Sequence, residues 1–298
     1  MHELSWQEHI LPLPDHNLAW YELGSGPTVL CLSGGPGDDH AYLRPVVEPL
    51  ASQFRWILYD QRGAGRSVLE QLDEVTLQVD RLVEDLEALR RHLGQDRMRL
   101  VGHSWGANLA LLYSATYPDH VDRVALVGLG PLDDELSAVA SANLMKPLTP
   151  AERQEHARLS ELLKRAVQEN DRNRMAGLDA QRLPLFARGA FYSPEKAMQF
   201  VDDYLAADSH RKLNRRVNRF VSASYRKISI WDRLDRVSAA VLVLYGYQDF
   251  EPISQAYLIR ERIPRTRICF LNQCGHEPWL EQPDAFYRAL EQFLAGSV

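Results

Sequence analysis

Cysteine is scarce in this 298-residue chain, which has only Cys31, Cys269 and Cys274. An odd, sparse set does not make a disulfide framework, and Cys269 and Cys274 lack the further Cys or His partners of a zinc site. The three are expected to be reduced thiols in a cytoplasmic protein. Basic charge is not in surplus either: 34 Lys and Arg stand against 40 Asp and Glu, for a net charge of −6. Phosphate binding normally shows as a positive excess, so a nucleic-acid partner is disfavoured. No apolar run is long enough to span a bilayer. Met1 to Asp15 has no basic segment followed by an apolar core, so neither a signal peptide nor a membrane partner is expected. Internal repeats and low-complexity linkers are also missing.

What remains is ordinary globular composition, 45% hydrophobic and 25% charged, with a rhythm that alternates strand and helix. Thr28 to Ser33, Trp56 to Asp60, Met98 to Gly102 and Val121 to Gly128 are short apolar runs that read as buried strands. Between them, Leu77 to Leu93 has apolar residues at helical spacing and ends at Gly94. Trp105 to Tyr117 reads as a small-residue helix stopped by Pro118. This pattern predicts a parallel sheet covered on both faces.

The rhythm breaks between Leu132 and Trp231, where no buried strand is evident. Pro150 to Asn170 and Pro194 to Ala207 read as amphipathic helices. The alternation resumes with strands at Ala239 to Tyr245 and Thr266 to Leu271 and helices at Ser254 to Arg262 and Pro283 to Ala295. The expected organisation is an α/β core made of residues 1–131 and 232–298, with a helical cap at 132–231. His210 to Phe220 is basic, but Leu213, Val217, Phe220 and Val221 recur at helical spacing. That predicts an amphipathic cap helix with a charged outer face.

Gly102-His103-Ser104-Trp105-Gly106 has the form G-x-S-x-G and sits between a predicted strand and helix. In that context the serine stands at the tip of a sharp turn, with glycines that let neighbouring chain segments approach. Ser104 is the candidate nucleophile, and the Trp105 amide, at the start of a helix, can face developing negative charge. In a fold of this kind the chain order is Ser, then Asp or Glu, then His. Asp249 follows one late strand and His276 follows the other, both at strand carboxyl ends where a parallel sheet gathers its site. Asp235 and Glu251 are rival acids: the first precedes its strand and the second lies two residues further along the loop. His103 adjoins the nucleophile but points away from it in an elbow and reads as a packed structural residue. Ser33-Gly34-Gly35-Pro36-Gly37 follows the first strand, and Gly35 is the candidate second oxyanion donor. The loop lacks the G-K-[ST] ending of a phosphate loop.

Three motifs stand in order: SGGPG at 33–37, DQRGAGRS at 60–67 and GHSWGA at 102–107. Together they resemble the proline iminopeptidase (prolyl aminopeptidase) branch of the α/β hydrolases. The resemblance implies the α/β-hydrolase fold with an inserted helical cap. It also implies Ser104, Asp249 and His276 as a triad, with Gly35 and Trp105 as oxyanion donors. Arg62 and Arg66 are expected to hold the loop after the second strand through ion pairs. The family's leading His is Ser33 here. Its cap carboxylates, which recognise a free α-amino group in a Trp-Glu context, have no such match. Glu195 is the candidate substrate-binding carboxylate, with Asp202, Asp203 and Asp208 as further ones.

The reading is a serine hydrolase that cleaves an amide or ester bond through an acyl-enzyme, with a small molecule or short peptide as substrate and neither metal nor cofactor. The implied activity is that of an aminopeptidase on N-terminal proline or another small residue. The alternatives are an esterase, lactonase or C–C bond hydrolase on an uncharged small molecule, or a silent hydrolase-fold receptor.

Overall fold

The computed structural model describes residues 5–206 and 213–296. Eight strands form one sheet: β1 (Gln7–Pro12), β2 (Asn17–Leu23), β3 (Thr28–Leu32), β4 (Arg55–Tyr59), β5 (Met98–His103), β6 (Val121–Val127), β7 (Ala240–Gly246) and β8 (Thr266–Leu271). Their spatial order is β1-β2-β4-β3-β5-β6-β7-β8. From β4 to β8 every pairing is parallel, whereas β1 and β2 form an antiparallel hairpin that joins β4 antiparallel.

Successive side chains of a strand point to opposite faces, so each buried strand feeds two cores. Leu30 and Leu32 pack on one side with α2 (Val79–His92), α3 (Trp105–Thr116) and α9 (Gln255–Arg262). Val29 and Cys31 pack on the other with α1 (Arg44–Val47) and α11 (Pro283–Ala295), which follows the short α10 (Pro278–Glu281). Both faces being covered is why these strands read as continuous apolar runs. The strands expected from β3 onward are all present, shifted by a residue or two at their ends. The β1–β2 hairpin is an addition to them. β1 is an edge strand whose residues are mostly exposed, so it carries no buried run to detect. Cys31, Cys269 and Cys274 are all free, and among the described residues no helix is long and apolar enough to cross a membrane.

Among the described residues, five α-helices lie between β6 and β7: α4 (Asp134–Met145), α5 (Pro150–Glu169), α6 (Arg172–Ala190), α7 (Pro194–Ala206) and α8 (Arg215–Tyr225). α5 begins in a capping box, with the Thr149 side chain accepting from the Glu152 amide and Glu152 reaching back to Thr149 N. The helix expected at Pro194 to Ala207 is α7; Ala207 itself lies outside the described residues, as do Asp208 and His210 to Lys212. α8 buries Val217, Val221 and Tyr225 at four-residue spacing against the sheet and the α2–α3 side of the core. α6 escapes the sequence pattern, because Gly177 and Pro184 both fall inside it and both disfavour a helix interior.

Polar anchors fix the loop after β4. Arg62 is buried and makes a two-pronged pair with Asp85 of α2, Nε to Oδ2 at 2.7 Å and Nη2 to Oδ1 at 2.6 Å. Its Nη1 donates to Asp15 and to the Thr76 carbonyl. Arg66, on the surface, pairs with Glu8 of β1. Glu87 plays a similar part inside the α2–α3 packing. It accepts from Arg90, Arg91 and Tyr113 Oη, and those bonds, Arg90 foremost, hold its carboxyl down at about 2.

A depressed carboxylate contributes stability that is complete above its unfolded value and lost as pH falls through the folded one. Glu87→Gln is therefore expected to lower the unfolding free energy by on the order of 2 kcal/mol at pH 7. The difference from wild type should shrink between about pH 4.5 and pH 2. Urea denaturation across that range checks it, and a pH-independent difference would contradict the assignment.

Candidate active site

β5 runs directly into α3, and the chain has to reverse within one residue. Ser104 is that residue. Its backbone lies at φ 54°, ψ −124°, a region that non-glycine residues rarely adopt. The turn is possible only because its flanks lack side chains. A Cβ on Gly102 would lie 2.3 Å from the Gly106 carbonyl oxygen, and one on Gly106 would lie 2.2 Å from that of Leu32. Ser104 is further fixed by donating its amide to Val127 O at 2.9 Å.

His276 follows β8. Its Nδ1 lies 3.0 and 3.1 Å from the two carboxylate oxygens of Asp249, which follows β7. A carboxylate only accepts, so Nδ1 carries a proton and donates it in a hydrogen bond to Asp249, which leaves Nε2 on the opposite edge of the ring. Both side chains are buried. Asp249 also accepts from the Glu251 amide at 3.0 Å, which fixes its orientation. Gly128, at the end of β6, leaves room for this pair: a Cβ there would sit 3.1 Å from the His276 ring and 3.3 Å from Asp249 Oδ2. The His276 backbone is held from two sides. Its amide donates to Ala190 O at the end of α6, and Glu281 accepts from the Gly275 and Ser193 amides at 2.6 and 2.7 Å. Sequence reasoning does not single out Glu281 or Gly128, although Glu281 stands in the segment GHEPWLEQP.

His103 is buried beneath the turn. Its Nε2 lies 3.1 Å from the His276 carbonyl and its Nδ1 3.0 Å from Tyr42 Oη, which in turn accepts from the Gly34 amide at 2.6 Å. A carbonyl cannot donate, so the proton is on Nε2, and the chain runs Gly34 N–H to Tyr42 O–H to His103 Nδ1. Burial and the nearby His276 ring push the His103 pKa well below its ordinary value, in keeping with a neutral ring. The network ties the glycine-rich loop, the serine turn and the His276 loop together. Gly34 is the residue of that loop beside the serine, where a Cβ would lie 3.2 Å from Ser104 Cβ, and its amide is given to Tyr42; Gly35 borders the cavity described next. Gln61 adds a second tie, donating to Ser33 O at 2.7 Å and accepting from Trp105 Nε1 at 3.0 Å.

Gly35, Ser104, His103 and His276 all border one cavity of about 290 Å³. Its charged lining is divided between core and helical segment. Asp38, Glu251 and Glu277 come from core loops, and Asp179, Arg182 and Arg215 from α6 and α8. Burial raises all three core carboxyls, Asp38 to about 7 and Glu251 and Glu277 well above the carboxylate range. The His276 imidazole is held by Asp249, and Glu251 contributes its backbone amide to that carboxylate. Asp235 is exposed near Arg262. Glu195, with Asp202 and Asp203, is exposed on α7 and does not line this cavity. A larger cavity of about 750 Å³ lies among α4, α6 and α7 and shares Phe250 with the first, but neither Ser104 nor His276 borders it. Among the described residues, Asp39, His40 and Asp60 are the one group with metal-ligand spacing. Asp60 there already accepts from His40 N, His40 Nδ1, Tyr21 Oη and Arg66 N, which makes it a loop anchor.

A doubly covered parallel sheet with a serine on a strand-to-helix elbow and an acid–histidine pair at later strand ends defines a hydrolase architecture. A family model described as "alpha/beta hydrolase fold" matches residues 27–283, and the chain belongs to that family. Within it the similarity is to proline iminopeptidases and putative carbamate hydrolases. A probable proline iminopeptidase of Leptolyngbya boryana is 27% identical over 295 residues, covering 91% of this chain and 88% of that one. A putative carbamate hydrolase of Caulobacter sp. (strain K31) is also 27% identical, covering 94% and 96%. The crystal structure of a proline iminopeptidase-related protein from Thermus thermophilus superposes with a TM-score of 0.73 at 26% identity, covering 98% of each chain.

Tyr42→Phe removes one hydroxyl and leaves both the Gly34 amide and His103 Nδ1 without a partner. It is expected to lower stability by about 1–3 kcal/mol, measured by chemical denaturation. No loss would mean that the chain of hydrogen bonds is not what joins the three loops.

Proposed function

We propose that this hydrolase is a serine hydrolase in which Ser104 attacks an amide or ester carbonyl. The reading rests above all on His276, held by Asp249, bordering the same cavity as a serine in a strained turn. His276 Nε2 takes the Ser104 proton as Oγ bonds to the carbonyl carbon, and Asp249 stabilises the imidazolium that forms. The Gly35 and Trp105 amides receive the negative oxygen of the tetrahedral intermediate. The C–N or C–O bond then breaks, His276 protonates the departing group, and an acyl-Ser104 remains. Water loses a proton to His276 and attacks that ester, and the acid leaves as Ser104 regains its proton. The helices between β6 and β7, residues 132–231, act as a cap on this chamber.

For substrate, the likeness to proline iminopeptidases favours an amide with a free amine at its N-terminus. Exposed Glu195 is poorly placed to hold that amine. Asp38 and Glu277 are better placed. Both line the cavity, Asp38 lies close enough to add to the raised pKa of Glu277, and an ammonium between them would restore their ionised forms. A carbamate or ester carbonyl would pass through the same steps, so the amine is what separates the readings.

A fluorophosphonate probe should label the wild type at one serine and fail to label Ser104→Ala. His276→Ala should lower turnover by roughly four to six orders of magnitude. An unlabelled wild type would leave a ligand-binding protein without catalysis. In a substrate panel, proline arylamide should be cleaved and its N-acetyl derivative spared. Equal rates on the two would remove the amine from recognition and favour the esterase reading.

A further inference from the structure

α6 turns one face toward the cavity. Asp179, Arg182, Leu183 and Phe186, at the i, i+3, i+4, i+7 spacing of a single helical stripe, all line it. Two of the four are charged, but only one is compensated. Asp179 is gripped by Arg215 of α8, whose Nε donates to Oδ2 at 2.9 Å while a terminal nitrogen bonds Oδ1. That fork uses both oxygens of the carboxylate. Arg182, one turn further along, is left over. Its Nε is buried without a hydrogen-bond partner. Among the described residues, its one side-chain contact within hydrogen-bonding range is a long one of 3.4 Å from a terminal nitrogen to His156 Nε2. Among the described residues no carboxylate is close enough to it to form an ion pair. Burial and the neighbouring Arg215 draw its pKa down to about 10, the mark of a cation short of counter-charge. The core carboxyls do not supply that charge: Glu251 and Glu277 are raised well above the carboxylate range, Asp38 is raised to about 7, and none of the three forms an ion pair with Arg182.

A partly buried guanidinium without an anion is costly, and a planar fork is the group best matched to a carboxylate. We infer that Arg182 is a specificity residue that receives a carboxylate of the substrate. The preferred substrates are then small zwitterions of dipeptide size, with the amine toward the core loops and the carboxylate toward α6. This rests on the amide-hydrolase reading above. The cavity, about 290 Å³, lies at the low end of the ~300–1,000 Å³ of small-ligand sites, which suits a two-residue peptide better than a long one.

The test compares prolyl-alanine with prolyl-alanine amide, which differ only in the terminal charge, on wild type, Arg182→Gln and Arg182→Lys. Wild type should favour the free acid in kcat/KM by roughly tenfold to a hundredfold, mainly through KM. Arg182→Gln should bring that ratio close to one. Arg182→Lys, which keeps the charge but loses the fork, should fall between. Equal wild-type rates on the two peptides, hydrolysis of neither, or a ratio unchanged in Arg182→Gln each overturns the inference. Fluorophosphonate labelling of Ser104 in the same preparations separates this from failure of the hydrolase reading: a labelled enzyme indifferent to the carboxylate refutes the role of Arg182 alone.

Discussion

One backbone turn governs the arrangement. Ser104 is held at a positive φ that costs of order 1–3 kcal/mol, and the surrounding structure must compel it. Compulsion comes from β5 being locked between β3 and β6 on one side of the residue and α3 being packed against the sheet on the other. A side chain on either glycine that flanks the turn would collide with a main-chain carbonyl, so three chain segments approach closely at the elbow. Ser104 thereby reaches the cavity that His276 also borders.

Everything else near the turn secures neighbours to it. The Gly34–Tyr42–His103 chain joins the glycine-rich loop to the elbow and ends on the His276 carbonyl. Glu281 and Ala190 hold the His276 loop against the end of α6. The helical segment is thus not an independent lid over a finished site, because it supplies a hydrogen bond to the backbone of the histidine itself. It also supplies the cavity's two guanidinium groups, while the core loops supply three carboxyl groups.

The sheet is legible in the sequence because its inner strands are buried on both faces and read as unbroken apolar runs. The β1–β2 hairpin is not, since an edge strand with solvent on one side leaves no such run. The elbow, Asp249 and His276 can be located because their chemistry demands particular residue types at strand ends, and the structure sets Asp249 and His276 in direct contact. Substrate contacts are harder to find. Glu195 is eligible only as a carboxylate in the helical segment, and helical phase turns it outward. Arg182 and Arg215 carry no local signal, because each derives its meaning from packing against a helix distant in the chain. Glu277 stands beside His276, yet its burial cannot be foreseen from neighbouring residues.

The most direct measurement is a crystal structure of the phosphonylated protein. Phosphorus is expected to be bonded to Ser104 Oγ, with the phosphoryl oxygen about 2.7–3.1 Å from both the Gly35 and Trp105 amides and His276 Nε2 within hydrogen-bonding distance of Oγ or the departing-group oxygen. An adduct whose phosphoryl oxygen points away from those two amides, or an imidazole too far from Oγ to share a proton, would contradict this.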